Sequence, residues 1–289
     1  MNTKTNSVVN SVVGAGFAAA RSEMVAKQIR ARGVSSPRVL DAMASVPRHE
    51  FVPPASAASA YSDEPLPIGG GQTISQPLMV ALMTESLLLD GSESVLEIGG
   101  GSGYQAAVLS LLAREVVVVE LQPELARACR ERLARLGYSN VRVEEGDGSL
   151  GWPAGAPYDA ILVSAAAPAL PPPLVDQLAE GGRLVVPVGS AEQQDLMRMV
   201  KRDGGVTQEK LSACRFVPLL GHHGWHRGPQ EAVQGTTSDE TPGYDNSGER
   251  ALGHGTSSEK TSSHEISGFG NKHQGGSHLR PSHDGTARE

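Results

Sequence analysis

A doubly wound α/β fold, with a mostly parallel sheet and helices on both faces, is predicted by three observations. Short apolar runs alternate with helix-period segments, one run passes directly into a glycine-rich turn, and the last two runs alternate as an antiparallel pair. Taken in order, Ser22 to Met43 reads as two short helices. The first has Met24, Val25 and Ile29 on one side; the second is capped by Ser36 with Pro37 in its first turn. Pro47 to Gln76 is rich in Pro and Gly and reads as a long connection, the kind that serves as a binding or lid segment. Then come a helix over Pro77 to Leu89, the Val95 strand, a helix over Tyr104 to Ala113, the Val116 strand, a helix over Pro123 to Leu136 and the Val141 strand. A strand over Tyr158 to Ser164, a helix over Leu170 to Ala179 and a strand over Arg183 to Val188 complete the alternation. Asp195 to Lys201 and Lys210 to Val217 form the expected antiparallel edge.

The run Val95-Leu96-Glu97-Ile98 ends in Gly99-Gly100-Gly101-Ser102-Gly103, where glycine lets the backbone approach a ligand and the next helix presents its free N–H groups. Gly101-x-Gly103-x-x-Ala106 satisfies a dinucleotide fingerprint, whereas Glu97-x-Gly99-x-Gly101-x-Gly103 fits a methyl-donor turn; the motif alone chooses neither. Two further acids bear on the choice. Glu120 ends the second strand, placed for ribose hydroxyls, and Asp147 in Gly146-Asp147-Gly148 follows the third, placed for an adenine amino group. Three acids at successive strand ends repel a pyrophosphate and suit the sulfonium and ammonium of S-adenosyl-L-methionine. An NAD-binding oxidoreductase stays as the alternative.

With 289 residues, 39% of them hydrophobic, the chain can bury a large core, and its net charge of −7 argues against nucleic acid as a partner. Two cysteines, Cys129 and Cys214, suit a reducing, cytoplasmic setting; Cys129 shares an apolar helix face with Leu125 and Leu133. No run reaches the roughly 18 apolar residues of a membrane span, and no metal site is expected, His222, His223 and His226 lacking acid or Cys partners at ligand spacing. Residues 1–20 read as a flexible arm, 21–221 as the folded domain and 222–289 as a disordered Gly/Ser/His-rich tail holding eight of the nine histidines.

Five stretches carry a family resemblance: Val46-Pro47-Arg48-His49-Glu50-Phe51-Val52-Pro53, Leu66 to Pro77 with its Thr73-Ile74-Ser75-Gln76-Pro77 loop, Leu96 to Gln105, Gly146 to Trp152, and Phe216 to Gly221. Together they resemble the protein-L-isoaspartate O-methyltransferases over about Arg21 to Gly221. The resemblance implies a seven-stranded methyltransferase sheet and S-adenosyl-L-methionine as donor. It also implies methylation of the α-carboxylate of L-isoaspartyl residues in damaged proteins and peptides; a monomeric protein is expected. It assigns Ser75 as the active-site serine, and Ile74, Glu97, Gly99, Gly101, Gly103, Glu120, Leu121, Asp147 and Gly148 as cofactor contacts. Gly100 stands where the family often has Thr or Ser, so a hydroxyl contact to the cofactor is expected to be missing.

The implied chemistry needs few groups. A carboxylate is already ionised at neutral pH and attacks the methyl itself, so no general base is called for and His49 reads as a structural loop residue. Ser75 has two readings, an N-cap two residues before Pro77 or a hydroxyl that orients the substrate carboxylate beside free helix amides; its loop favours the second. The small residues Ala165, Ala166 and Ala167 after the fourth strand leave room for a peptide backbone.

Overall fold

A computed structural model describes residues 16–226; the remainder of the expected arm, 1–15, and of the expected tail, 227–289, lie outside the described residues. Helix α1 (residues 16–23) runs into a π-helical turn, Met24–Ile29, and a 3-10 turn, Arg30–Arg32, that stops at Gly33 with φ 105°. Met24, Val25 and Ile29 are buried, the face the sequence predicts. Phe17 stacks on the His49 ring at 4.0 Å between centroids, so packing begins inside the stretch read as an arm. Helix α2 (Pro37–Ser45) follows with Ser36 as N-cap residue, but the serine side chain makes no capping bond.

The stretch Pro47 to Gln76 is more than a connection. It holds two 3-10 turns, Arg48–Phe51 and Pro54–Ser59, and a hairpin of β1 (Leu66–Gly69) and β2 (Gln72–Ile74). Gly69, Gly70 and Gly71 all have positive φ, which the reversal requires. Pro67 is accommodated because each strand of a two-stranded ribbon has an open edge, where a missing N–H breaks no ladder bond.

Seven strands form the main sheet in the order β5-β4-β3-β6-β7-β8-β9. They are β3 (Ser94–Ile98), β4 (Glu115–Glu120), β5 (Val141–Glu145), β6 (Tyr158–Val163), β7 (Leu178–Gly189), β8 (Gln194–Arg202) and β9 (Gly205–Cys214). Strands β3 to β7 are parallel, and β8 and β9 are antiparallel, giving the expected closing edge. Helices α3 (Pro77–Ser86), α4 (Tyr104–Ser110), α5 (Pro123–Arg135) and α6 (Pro172–Asp176) accompany them. Both sheet faces are buried: Val95, Val116, Val118, Ala160 and Leu162 belong to one core cluster, and Leu96, Ile98, Val117, Val119 and Ile161 to the other. That explains why the strands read as unbroken apolar runs.

Boundaries differ from expectation at three places. Helix α6 covers five residues, because prolines at 171–173 start it and β7 already pairs Leu178 with Tyr158. Strand β9 begins at Gly205, since Asp203 and Gly204, both at positive φ, make a tight hairpin turn directly after β8. Val217 has left the sheet edge, and its carbonyl accepts the Ala166 N–H.

Candidate active site

The order of strands reverses at β3, with β4 on one side and β6 on the other. Such a switch point opens a crevice at the carboxyl ends of the strands. There the structure has a cleft of about 860 Å³, including its mouth, lined by the ends of β3, β4 and β6, by the β2–α3 loop and by Val217–Leu220.

The glycine turn after β3 forms its floor. Gly99, Gly101 and Gly103 have φ of 87°, 50° and 85°, a conformation side chains disfavour, and all but Gly103 face the cleft. Gly100 also lines it, but a Cβ there would lie 2.5 Å from Val118 Cγ1. A side chain at this position points into the sheet, so the hydroxyl contact to the cofactor inferred from its absence is not available in this backbone.

Glu97, at the end of β3, is fully buried, and neither carboxylate oxygen has a hydrogen-bond partner among the described residues. Burial pushes its carboxyl well above the ordinary range, and the charge of Glu120 adds to the shift; the Ser164 hydroxyl, close by but not in hydrogen-bonding geometry, opposes it. Glu120 accepts the N–H groups of Gly101 and Gln122 at 2.8 and 2.9 Å, one on each oxygen, which leaves lone pairs for hydroxyl donors. A buried carboxylate without a partner marks a place for a cationic group, and the residues fit an S-adenosyl cofactor.

Of the expected cofactor contacts, Ile74, Glu97, Gly99, Gly101, Glu120, Leu121 and Gly148 line the cleft. Gly103 stands just behind as the N-cap of α4, against Cys129 and Leu133. Asp147 is not among the lining residues. One of its oxygens accepts the Ser149 N–H and hydroxyl, the other the His222 N–H at 2.7 Å, and these bonds hold its pKa below the ordinary value despite partial burial. Its carboxylate holds the turn after β5 and tethers the chain at 222, with one acceptor position left on the oxygen that the His222 N–H bonds. Gly221 packs so closely on Asp147 that a Cβ would collide with it.

The tether corrects the boundary at 221. His223 N–H donates to Ser149 Oγ, and the Trp225 indole N–H donates to Ala166 O at 3.1 Å, so residues 222–225 belong to the folded unit. Ala166 also bonds Val217 and Leu219. The room beside Ala166 is thus taken by this chain's own C-terminal segment and Ala167 pairs with the end of β7, whereas Ala165 lines the cleft.

Ser75 sits half-buried in the cleft wall, and its hydroxyl makes no hydrogen bond among the described residues. The capping reading fails: Gln76 is the N-cap residue of α3, and the Leu78 N–H donates to Asp63 Oδ1 instead. The free-amide reading fails with it, because Pro77 has no N–H and Met79 and Val80 donate to Gln76 O. Asp63 was not singled out in the sequence, and nothing there announces a cap coming from fifteen residues away. His49 lies outside the lining, with Nδ1 2.8 Å from Tyr61 Oη, and burial lowers its pKa.

Fold and cleft together define a nucleoside-cofactor enzyme of the methyltransferase type: either nucleotide would use Glu120 for its ribose, but the buried, unpaired Glu97 suits a cationic cofactor and not a pyrophosphate. Comparison with known proteins is specific. The family model for protein-L-isoaspartate(D-aspartate) O-methyltransferase matches residues 19–224, and the chain belongs to that family. A protein-L-isoaspartate O-methyltransferase of Methanoculleus marisnigri is 57% identical over 205 residues, 71% of this chain and 93% of the relative; one of Geobacter metallireducens is 55% identical over 210 residues, 72% and 97%. A solved protein-L-isoaspartate O-methyltransferase superposes with TM-score 0.63 at 32% identity, over 70% of this chain and 66% of that one. A Plasmodium falciparum protein described as such an enzyme, in complex with S-adenosyl-L-homocysteine, superposes with TM-score 0.60 at 26% identity, over 69% and 98%.

Proposed function

We infer that this chain transfers the methyl group of S-adenosyl-L-methionine to the α-carboxylate of L-isoaspartyl residues in damaged proteins and peptides, the first step of their repair. The observation that carries the reading is the partnerless buried carboxylate of Glu97 across a cleft from the unbonded hydroxyl of Ser75. Nothing in the comparisons supports the oxidoreductase alternative.

Glu97 supplies negative charge for the cationic donor, and Glu120 has acceptor capacity for its ribose hydroxyls. Ile74, Leu121, Gly99, Gly101 and Gly148 shape the walls, while Gly103 starts the helix behind them. The cofactor, when bound, supplies an electrophilic methyl. Ser75 orients the substrate carboxylate, whose own oxygen is the nucleophile, so no proton has to be taken up by the protein. Val217–Leu220 and the β1–β2 hairpin enclose the cleft, the hairpin tied to the end of β4 by the Gln122 amide donating to Gly70 O. Exclusion of water there strengthens these interactions and strips the nucleophile of its hydration. Asp147 serves the cofactor indirectly, by fixing the turn that carries this wall.

We propose a monomeric, cytoplasmic protein; the net charge of −7 disfavours a nucleic-acid partner, and among the described residues no helix is long and apolar enough to cross a membrane. The test of function is methyl transfer to an isoaspartyl peptide and to its aspartyl twin. Equal labelling of the two would remove the repair assignment.

A further inference from the structure

The cleft has to admit a carboxylate, yet among the described residues its wall contains Glu97 and Glu120 and no Lys, Arg or His. The N-terminus of α3 offers no free first-turn amide either, as its N–H groups are taken by Asp63 and Gln76. Positive charge is found one layer deeper. Arg48 is fully buried, directly behind two residues of the wall: its Nη2 donates to Ser75 O at 2.7 Å, and its guanidinium carbon lies 4.8 Å from the centre of the Tyr104 ring. Nε donates to Ala60 O at 2.7 Å. Nη1 is buried with no partner, and no carboxylate oxygen among the described residues comes within 4.0 Å of the guanidinium.

A buried guanidinium without a counter-ion is costly, and an unpaired N–H on it adds to the cost. Burial lowers its pKa, opposed by the nearby Tyr104 hydroxyl and less so by Tyr61 and Asp63, but arginine stays charged at neutral pH. The nearest acid, Asp63, is engaged elsewhere, by the Leu78 N–H, the Gln76 amide and an ion pair with Arg32. We propose that Arg48 is the charge that selects the substrate carboxylate: it fixes Ser75 through the backbone and makes the acceptor end of the cleft positive, opposite the acids at the donor end. It acts through the wall, as a positioning residue that also sets charge specificity. The two ends of the cleft are thereby polarised to match the reactants, cation toward Glu97 and anion toward Arg48.

This rests on the isoaspartyl reading, and the experiment separates the two. An isoaspartyl peptide and its isoasparaginyl twin, which differ only in the charge of the acceptor group, are titrated into the full-length enzyme saturated with S-adenosyl-L-homocysteine. The wild type binds the acid more tightly. Arg48→Gln reduces that acid-over-amide preference about tenfold, the size expected of one charge acting across a side chain's width at protein dielectric, with S-adenosyl-L-homocysteine affinity within twofold of wild type. Arg48→Lys keeps most of the preference. Asp63→Asn, which removes the opposing acid and keeps an acceptor for the Leu78 N–H, moves it the other way, about twofold upward, and gives a readout if Arg48→Gln does not fold. Equal weakening of both peptides in Arg48→Gln, or no rise in Asp63→Asn, would reduce Arg48 to a structural brace and overturn the proposal. A wild type that binds neither peptide would instead remove the functional reading on which it stands.

Discussion

Glu97→Gln separates two consequences of one buried carboxyl. In the cofactor-free protein the group is sealed from water, has no hydrogen-bond partner, and titrates well above its ordinary 4.5 because of burial and of Glu120. A carboxyl with a folded pKa above its unfolded value holds its proton more tightly in the native state. Its cost to stability is therefore absent below about pH 4.5, grows as pH rises toward the folded pKa, and is complete above it. Glutamine keeps the shape and has no such titration. With about 1–2 kcal/mol for burying the acid rather than the amide, and about 2–4 °C per kcal/mol for a domain of this size, the cofactor-free variant should melt about 2–8 °C above wild type at pH 8. The gain should fade toward pH 4.5. Affinity for S-adenosyl-L-homocysteine should move oppositely, falling about 10- to 150-fold for the loss of a charged hydrogen bond of about 1.5–3 kcal/mol. At any pH where the cofactor-free wild type still holds this proton, cofactor binding should release it, visible as buffer-dependent heat in calorimetry and absent in the variant. Melting curves from pH 5 to 8 and calorimetry in two buffers test all three. A pH-independent change in melting, or unaltered cofactor affinity, would refute the assignment of Glu97 as the partner of a cationic ligand.

Other outcomes follow from the same geometry. Ser75→Ala should lower turnover about tenfold, roughly 1.4 kcal/mol, while cofactor affinity measured by calorimetry stays within twofold. Glu120→Ala should weaken S-adenosyl-L-homocysteine by about 1–3 kcal/mol, losing both the ribose contact and the acceptor that holds the Gly101 N–H. A chain ended at Gly221 loses the His222, His223 and Trp225 bonds to Asp147, Ser149 and Ala166; it should melt lower and bind cofactor more weakly, whereas one ended at His226 should match the full chain. Asp147→Ala should mimic the shorter truncation, and the two changes together should be less than additive, because both act on one tether; additive losses of cofactor affinity would restore Asp147 as a direct contact.

What the sequence shows of the fold follows from local cause. Val95, Val116 and Val118 stand in strands buried on both faces, and such strands have to be apolar throughout, so their runs are readable. The turn after β3 needs glycine at three left-handed positions, and its spacing is readable for the same reason. The hairpin at Leu66–Ile74 is harder, because Pro67 signals loop unless the strand is known to have an open edge. Helix α6 is shortened by pairing of Leu178 with Tyr158, a tertiary contact that no window of sequence contains.

Within the site, the line between visible and hidden runs between residues that face the ligand and residues that hold them. Glu97 and Glu120 could be placed from their strands alone, because a parallel sheet brings strand ends to one edge. Asp147 has the same position in the pattern and a different employment. What the pattern does not contain is the segment after Val217, which returns to Ala166 and presents the His222 N–H to the Asp147 carboxylate. Arg48 shows the converse. It stands in the sequence among Val46, Phe51 and Val52, all buried, and an arginine enclosed by apolar neighbours has to find partners inside. The partners are two carbonyl groups, Ala60 and Ser75, rather than an acid. A carbonyl leaves the charge uncancelled where a carboxylate would have neutralised it, and that difference lets a residue with no exposed atom bear on which substrate the cleft accepts.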